Sequence, residues 1–460
     1  MENKARTQIF ERMPIPQAVL RMAIPTVLSS LVMVIYNLAD TYFVGMLNDP
    51  VQNAAVTLAA PVLLAFNAVN NLFGVGSSSM MSRALGRKDF DTVRRSSAFG
   101  FYCALACALL FSLACTAFRS PLLRLLGANA ETTGATSGYL LWTVCCGAAP
   151  SILNVVLAYL VRSVGATLHA SIGTMSGCLL NIVLDPIFIL PWGLNMGAAG
   201  AGLATFLSNT VACIYFFVLL FTRRKSTFVS LNPGHLRRVD RHIVAGVCAV
   251  GVPAAIQNLL NVTGMTVLNN FTAAFNSNAV AAMGISQKLC MIPMYISQGL
   301  SQGLMPLVSY NYASGDVRRM KGAVGFAAKI SLSFLVGMAA LYYAFAGGLI
   351  SLFMENAEVV AYGTRFMRGL CLATPFLNMD FLAVGVFQAC GMGSKSLIFA
   401  IMRKIVLEIP ALNILNALFP LYGLAYAQLC AEVVLATAAV IVLLRLFRRL
   451  ERQHAEVMTT

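Results

Sequence analysis

Long apolar stretches separated by short charged connections run through this whole chain. Most of the stretches reach roughly 20 residues or more, the length an α-helix needs to cross about 30 Å of hydrocarbon. Helices are predicted rather than membrane strands, because the alternation of apolar and polar residues typical of a membrane barrel is absent. The pattern therefore predicts an all-α polytopic membrane protein.

The charged and turn-forming connections divide the chain into twelve predicted transmembrane helices. The first six spans are predicted at Ala18 to Phe43, Asn53 to Ser82, Val93 to Phe118, Thr132 to Leu160, Ala166 to Leu190 and Ala198 to Thr222. The second six are predicted at His242 to Phe271, Ala279 to Tyr310, Lys321 to Phe345, Val359 to Ala389, Ser394 to Leu418 and Leu421 to Leu444.

The two sets of six spans share landmarks at an offset of roughly 220 to 230 residues, a signature of transporters built from repeats. Ile24-Pro25 in the first span corresponds to Val252-Pro253 in the seventh, and Gly202-Leu203-Ala204 corresponds to Gly423-Leu424-Ala425. Two pseudo-symmetric six-helix bundles are therefore predicted. Their boundaries are an N-lobe over residues 1–222, a basic cytoplasmic linker over 223–241 and a C-lobe over 242–460.

A formal charge of +15 would suit a nucleic-acid partner. The placement of the cations along the chain shows whether the charge reflects such a partner or the membrane topology. Lysines and arginines fall in alternate connections, with Arg119 and Arg124 as the clear exceptions. By the positive-inside rule, both termini are predicted on the cytoplasmic side of a bacterial inner membrane. The basic charge reflects topology, and nucleic-acid binding is not expected.

Carboxylates inside the predicted spans are the candidates for function, because a carboxylate at membrane depth costs about 2.5 kcal/mol or more. They are Asp40, Asp185, Asp380, Glu408 and Glu432, accompanied by Lys288, Arg403 and Lys404. Lys404 and Glu408 are spaced i, i+4, which favours mutual pairing over a functional role. Glu432 receives no role from the sequence.

Asp40 and Asp185 are predicted near the outer ends of spans one and five, at similar depth in the first bundle. Tyr36 and Asn37 lie one turn before Asp40, and Asn181 lies one turn before Asp185, so each group shares a helical face. Such oxygen ligands suit either a hard cation or a shared proton. A purely structural link between the two helices is the alternative.

Motifs that carry a family resemblance follow in order along the chain. They are Ile24-Pro25, Asn37-Leu38-Ala39-Asp40, Phe43-Val44-Gly45, Ser82-Arg83-Ala84-Leu85-Gly86, Asn181-Ile182-Val183-Leu184-Asp185-Pro186, Gly200-Ala201-Gly202-Leu203-Ala204-Thr205 and Pro306-Leu307-Val308-Ser309-Tyr310-Asn311-Tyr312. On these motifs the sequence resembles the multidrug and toxic compound extrusion (MATE) family, in its MepA-like and DinF-like bacterial branch. The resemblance implies the MATE fold of two six-helix bundles.

The resemblance also implies where the coupling ion binds. The implied ion-coupling residues are Asp40, Asn181, Asp185, the carbonyl of Ala201 and the hydroxyl of Thr205. Tyr139 is similar to an aromatic residue that belongs to this site in the family. For Thr205, a hydrogen bond back to its own helix is the alternative. The coupling ion is H+ or Na+, with Na+ an option at Asp40, Asn181, Asp185 and Thr205, and no catalytic residue, other metal or cofactor is predicted.

Candidates for substrate contact extend into the second half. A better-known branch of the family has a glutamate where this sequence has Asn261, so an ion site there is not expected, and the ion site is predicted in the first half alone. Asp380 is a candidate for negative charge in the substrate cavity. Met265 and Met291 belong to a set that can line an adaptable cavity, with ordinary packing or lipid contact as the alternative. The remaining cavity candidates are Tyr36, Asn37, Tyr139 and Asn261.

The resulting functional prediction is a monomeric secondary active multidrug efflux transporter, not an enzyme. It would exchange small lipophilic organic cations for H+ or Na+ by alternating access within the lipid bilayer. A lipid-linked oligosaccharide flippase of the same superfamily is one alternative, although it would be expected to have extra helices and a more cationic cavity. A polytopic membrane enzyme and a passive channel are the others; the enzyme would need a polar catalytic cluster at one interface.

Overall fold

The computed structural model describes residues 8–224, 227–354 and 356–459. Throughout these residues the regular structure is helical, and no strand occurs among them. Helices are expected for long apolar segments in a membrane, because the backbone N–H and C=O groups of a helix are hydrogen bonded within their own segment.

The helices, including π-helical turns inside them, are labelled in chain order. In the first half they are α1 (Ile15–Gly45), α2 (Pro50–Gly86), α3 (Phe90–Ala117), α4 (Arg119–Leu125), α5 (Thr133–Cys146), α6 (Ala148–Ser163), α7 (Thr167–Ile189) and α8 (Ala198–Thr222). After these come α9 (Pro233–Leu236), α10 (Arg241–Ala273), α11 (Ser277–Ser314), α12 (Val317–Ser351), α13 (Ala357–Ala389), α14 (Gly393–Ile401), α15 (Ile409–Leu418) and α16 (Leu424–Thr459).

Ten helices in the described part of the chain are long and apolar enough to cross a membrane, or eleven when the bent pair α5 and α6 counts as one span. The eleventh predicted span corresponds to α14, a π-helical turn at Met402–Glu408 and α15, and that turn holds three charged residues. The all-α polytopic class is confirmed, and the number of helices is close to the predicted twelve.

The bend between α5 and α6 has a local cause. The two helices meet at 51° beside Gly147, directly after a π-helical turn at Leu141–Cys146. A Cβ at Gly147 would lie 2.4 Å from the carbonyl oxygen of Trp142, so the backbone can take this path only at a glycine. Bends of this size are typical of π-bulges. The fourth predicted span is therefore one broken helix.

Equivalent hydrogen bonds recur in the two halves. Ser82 of α2 donates its hydroxyl to the carbonyl oxygen of Ser163 at 2.9 Å. At the corresponding place in the second half, Ser309 of α11 donates to the carbonyl oxygen of Ala389 at 2.8 Å. Each bond is buried and joins the second span of its half to the fourth.

Helix caps and turns recur in the same way. Asp89 caps α3 and Asp316 caps α12, each accepting a hydrogen bond from the backbone N–H three residues further on. Gly165 and Gly391 follow the fourth span of each half with φ values of 86° and 78°. This left-handed conformation favours glycine. Local backbone chemistry is thus repeated as well as the hydrophobic pattern.

The described chain divides into two compact units. The first unit comprises Leu28–Ala255 together with the described residues before Arg12, and the second comprises Arg12–Val27 and the chain from Ile256 onward. Helices α1 and α10 therefore each contribute residues to both units. The predicted lobe boundaries at residues 222 and 242 stay a prediction.

Candidate ion-coupling site

A stripe of small and polar residues runs along α7 in the first unit. Gly173, Gly177, Asn181 and Asp185 follow one another at four-residue intervals, so they lie on one helical face. Small residues allow helix backbones in a membrane to approach closely. A Cβ added at Gly177 would lie only 3.2 Å from the Cβ of Ala212 on α8. The glycines bring α7 against α8 and thereby place the polar end of the stripe beside α8.

Asn181 joins the Asp185 carboxylate to α8. In the amide orientation that satisfies both neighbours, Asn181 donates to Oδ2 of Asp185 at 2.8 Å and accepts from the backbone N–H of Thr205 at 3.0 Å. The exposed fractions of Asp185 and Asn181 are 0% and 2%. A buried carboxylate is tolerated only with such partners, so this contact fixes where Asp185 points.

Asp40 of α1 and two tyrosines complete the polar group. Asp40 is partly buried and interacts electrostatically with Asp185, and Tyr139 of α5 interacts with both carboxylates. The side chain of Tyr36, one turn before Asp40, is hydrogen bonded to the side chain of Thr205. Side chains from four helices therefore converge on the two carboxylates.

Two of the predicted residues have less direct placements. Ala201 is 1% exposed and lies one turn before Thr205 on α8, which puts its carbonyl on the same face of that helix. Asn37 is exposed, and its carbonyl oxygen accepts a hydrogen bond from the hydroxyl of Thr41 at 2.9 Å. Membership of the ion site stays a prediction for the whole set.

The connection between α7 and α8 holds the two helix ends together. The backbone N–H of Leu194 donates to the carbonyl of Ile187 at 2.8 Å, and Oε1 of Gln52 accepts from the backbone N–H of Ala198 at 2.8 Å. Gly197 has a φ of 58°, and a Cβ there would lie 2.6 Å from Oε1 of Gln52. Gln52 is a supporting residue that sequence reasoning missed, because its partner is a backbone group 146 residues away.

The chemistry of this group is that of oxygen donors. Within the described ranges, no three His, Cys, Asp or Glu side chains form a group that could hold a metal ion. The site instead offers two carboxylates, an amide and hydroxyl groups. This donor set suits a proton shared by the carboxylates or a small hard cation such as Na+.

A second polar group lies around Arg403 in the second unit. Arg403 is 1% exposed, and its Nη1 donates to Oδ2 of Asp380 at 2.9 Å. Its Nη2 donates to Oδ1 of Asn261, while its Nε lies 4.0 Å from Oε1 of Glu432. The guanidinium also lies over the ring of Phe381, 5.1 Å from the centroid. Sequence reasoning missed this convergence, because the partners come from α10, α13 and α16.

Lys404 and Glu408 form the ion pair that their i, i+4 spacing predicts, and that prediction is confirmed. Nζ of Lys404 lies 2.6 Å from Oε2 of Glu408, with side-chain exposures of 10% and 6%. A Cβ at Gly264 would lie 2.8 Å from Cδ of Lys404, so the lysine stem packs directly on α10. The pair satisfies both charges locally.

The remaining cavity candidates occupy different environments. Asp380 is 1% exposed and faces Arg403, so its negative charge already has a cationic partner. Met265 is 37% exposed on α10, and Met291 is partly buried on α11. Asn261 is hydrogen bonded to Arg403 rather than to a carboxylate. Substrate contact by these residues stays a prediction.

Membrane-length helices and a repeated scaffold with carboxyl groups buried inside it are the features of a polytopic membrane transporter. The family model MatE matches residues 25–187 and 253–414, one match in each half. The chain therefore belongs to the MATE family and is a transporter rather than an enzyme. The two matched ranges also confirm the internal repeat, since both begin at corresponding points of their halves.

Known relatives cover nearly the whole chain. The sequence is 33% identical over 452 residues to the multidrug export protein MepA of Staphylococcus saprophyticus, covering 98% of each chain. It is 33% identical over 451 residues to MepA of Staphylococcus aureus strain MRSA252, again covering 98% of each. A solved outward-facing structure of a multidrug resistance MATE family transporter is similar with a TM-score of 0.90 and 26% identity, covering 97% of this chain and 98% of the other.

Proposed function

We propose that this protein exports small lipophilic organic cations, including drugs, in exchange for H+ or Na+. The observation that carries the proposal is the polar group of the first unit, in which Asp40 and the fully buried Asp185 lie together and Asn181 connects Asp185 to α8. The MepA relatives, which are multidrug export proteins, supply the type of cargo.

The mechanism is alternating access driven by neutralisation of the carboxylates. An ion bound between Asp40 and Asp185 reduces their repulsion and changes the stability of the arrangement of α1, α7 and α8. A ligand shifts a conformational equilibrium only through different affinities for the two states. An ion that binds one arrangement better than the other therefore drives the exchange with substrate.

The placement in the cell follows from the charge distribution. Lysines and arginines concentrate in alternate connections, so both termini face the cytoplasm of the bacterial inner membrane in this proposal. The proposal includes a protein that works as a monomer.

The carboxylates are tested by ethidium efflux from cells that carry Asp40→Asn or Asp185→Asn. We expect each substitution to reduce gradient-driven efflux at least tenfold at equal protein level. Asp91→Asn is the matched control, because Asp91 is an exposed surface carboxylate paired with Arg95. Near-normal efflux by both site variants would refute the coupling assignment.

The transport class is tested with purified protein in lipid vesicles. We expect ethidium movement only when a pH or sodium gradient is imposed. Ethidium movement without any gradient dependence would favour a channel. Translocation of a fluorescent lipid without ethidium movement would favour the flippase alternative.

A further inference from the structure

The buried cationic side chains and carboxyl groups of the second unit are unequal in number. We call Asp380, Arg403, Lys404, Glu408 and Glu432 the second-unit charge cluster; it has two cationic side chains and three carboxyl groups. Lys404 is paired with Glu408 at 2.6 Å, and Arg403 is paired with Asp380 at 2.9 Å. Both cations are therefore engaged by a carboxylate other than Glu432.

Glu432 is the carboxyl group without a hydrogen bond. It is 0% exposed, and neither of its oxygens has a hydrogen-bond partner in the described part of the chain. The charged groups that face it are Arg403, Asp380, Lys404 and Glu408, from the π-helical turn and from α13. The closest of them is Arg403, whose Nε is 4.0 Å from Oε1 of Glu432. An ionised carboxylate left in this state would be strongly unfavourable.

We propose that Glu432 is a second proton-binding site of this transporter, protonated while Arg403 is bound to Asp380. Protonation makes the second-unit charge cluster neutral, with two cations facing two carboxylates. The ligand of the site is H+. The inference rests on the proposed function of ion-driven export, and it places a coupling group in the half where the sequence predicts none.

The same contacts indicate what would follow when Glu432 loses its proton. Nε of Arg403 has no hydrogen-bond partner, and Oδ1 of Asp380 has none either, so neither end of that pair is saturated. An ionised Glu432 would attract Nε of Arg403 and compete with Asp380 for the same guanidinium. Because these three residues lie on α13, α16 and the π-helical turn between α14 and α15, the competition would couple protonation to helix packing in the second unit.

The corresponding place in the first unit is uncharged. The landmark offset aligns Asp380 with Asn154, and Asn154 donates to Oδ1 of Asn209 at 3.2 Å. Asn209 in turn donates to the hydroxyl of Ser151 at 2.9 Å. Amide and hydroxyl groups are sufficient to link these helices in the first half. Structural linkage alone therefore does not account for the charged residues in the second half.

The test is infrared spectroscopy of the purified protein in lipid nanodiscs, in a background of Asp40→Asn and Asp185→Asn that removes the first-unit carboxylates. We expect a protonated-carboxyl band to remain in this background and to be lost when Glu432→Gln is added. Glu358→Gln, at an exposed glutamate, is the control and is expected to keep the band. Absence of the band from the background, or its persistence with Glu432→Gln, would overturn the proposal.

Thermal unfolding is a second measurement, and it tests the proposal even if a variant folds poorly. Glutamine resembles a protonated glutamate, so Glu432→Gln is expected to unfold within a few degrees of its parent, whereas Asp380→Asn leaves Arg403 without its ionised partner and is expected to unfold much lower. If Glu432→Gln lowers the unfolding temperature as much as Asp380→Asn does, or prevents folding, then Glu432 is an ionised partner of Arg403. That result would overturn the proposal. Sodium-dependent stabilisation that disappears with Glu432→Gln would also overturn it.

The two proposals fail in different ways. Failure of the proposed export function would appear as absence of gradient-driven ethidium transport by the unmodified protein in vesicles. The infrared band and the unfolding temperatures of the Glu432 variants would be unaffected by that result, because neither measurement requires transport.

Discussion

Asn181 connects Asp185, the most buried carboxylate described in the first unit, to a neighbouring helix. Its amide donates to Asp185 and accepts from the backbone of Thr205, so one residue both satisfies the carboxylate and positions it. A hydrogen bond to a charged group contributes about 1.5–3 kcal/mol. This range makes Asn181 a positioning residue whose effect on ion binding can be measured.

Replacing Asn181 with leucine is expected to change the affinity for the coupling ion by roughly tenfold to hundredfold, since about 1.4 kcal/mol corresponds to a factor of ten. Loss of the positioning contact weakens Na+ binding, whereas loss of the amide donor to the ionised carboxylate strengthens H+ binding. The measurement is the ion concentration that gives half-maximal ethidium transport in vesicles. Asn413→Leu is the control, because Asn413 is exposed on α15 and its amide donates to the carbonyl of Ile409 on the same helix. An unchanged half-maximal concentration for Asn181→Leu would contradict the role given to this residue.

Lys404 and Glu408 permit a second test at the residue scale. Removing one member of a buried pair leaves an uncompensated charge and costs about 3–5 kcal/mol. We therefore expect Lys404→Met and Glu408→Gln each to lower the unfolding temperature strongly, and the double variant to recover most of the loss. Thermal unfolding in detergent provides the measurement. Additive losses in the double variant would show that the 2.6 Å contact is not the source of the effect.

Helix packing decides whether the site residues can meet. The polar residues of α7 lie beside α8, where Gly177 lets the two backbones approach and Gly173 leaves room for the ring of Phe216. The sequence pattern makes this face visible, since the four residues are spaced by one turn. It does not show which helix lies opposite, because that depends on the packing of the whole unit.

Gly177→Leu is expected to separate α7 from α8 and to reduce both stability and efflux. Overpacking of a close contact costs about 1–3 kcal/mol, and a Cβ at this position already lies 3.2 Å from Ala212. Unfolding temperature and ethidium efflux are measured together. Gly325→Leu on α12 is the control, since no atom lies within 4 Å of a Cβ built there. If Gly177→Leu and Gly325→Leu had equal effects on unfolding temperature and efflux, the close packing of α7 against α8 would not be what supports the site.

Features that depend on local sequence pattern could be predicted from the sequence, whereas features that depend on tertiary packing could not. The apolar helices, the repeat and the i, i+4 pair Lys404 and Glu408 were predictable, because each depends on residues close in sequence or on a regular period. The π-helical turn at Met402–Glu408 and the partners of Arg403 were not, because they depend on which distant helices pack together. The fourth span was predicted as one helix, although Gly147 allows a 51° bend.

The whole molecule combines a repeated scaffold with chemistry that is not repeated. Ser82 and Ser309 make equivalent hydrogen bonds in the two halves. In contrast, the first unit gathers Asp40 and Asp185 without a paired cation among their described hydrogen bonds and ion pairs, whereas the second unit gathers three carboxyl groups around Arg403 and Lys404. The two halves thus share their folding pattern but differ in their buried charged groups.

For an exchanger, binding of the coupling ion and binding of the substrate must weaken each other, and the factor is the same in both directions by thermodynamic linkage. We expect the affinity for ethidium, measured by fluorescence anisotropy in nanodiscs, to fall by roughly 5-fold to 150-fold when the coupling ion saturates its site. Titrations at several pH values without sodium, and at several sodium concentrations at fixed pH, identify which ion is responsible. Asp185→Asn is expected to abolish the dependence, while Asp91→Asn should preserve it. Ethidium affinity that is independent of both ions in the unmodified protein, or a dependence that survives Asp185→Asn, would exclude the carboxylates of the first unit as the point of exchange.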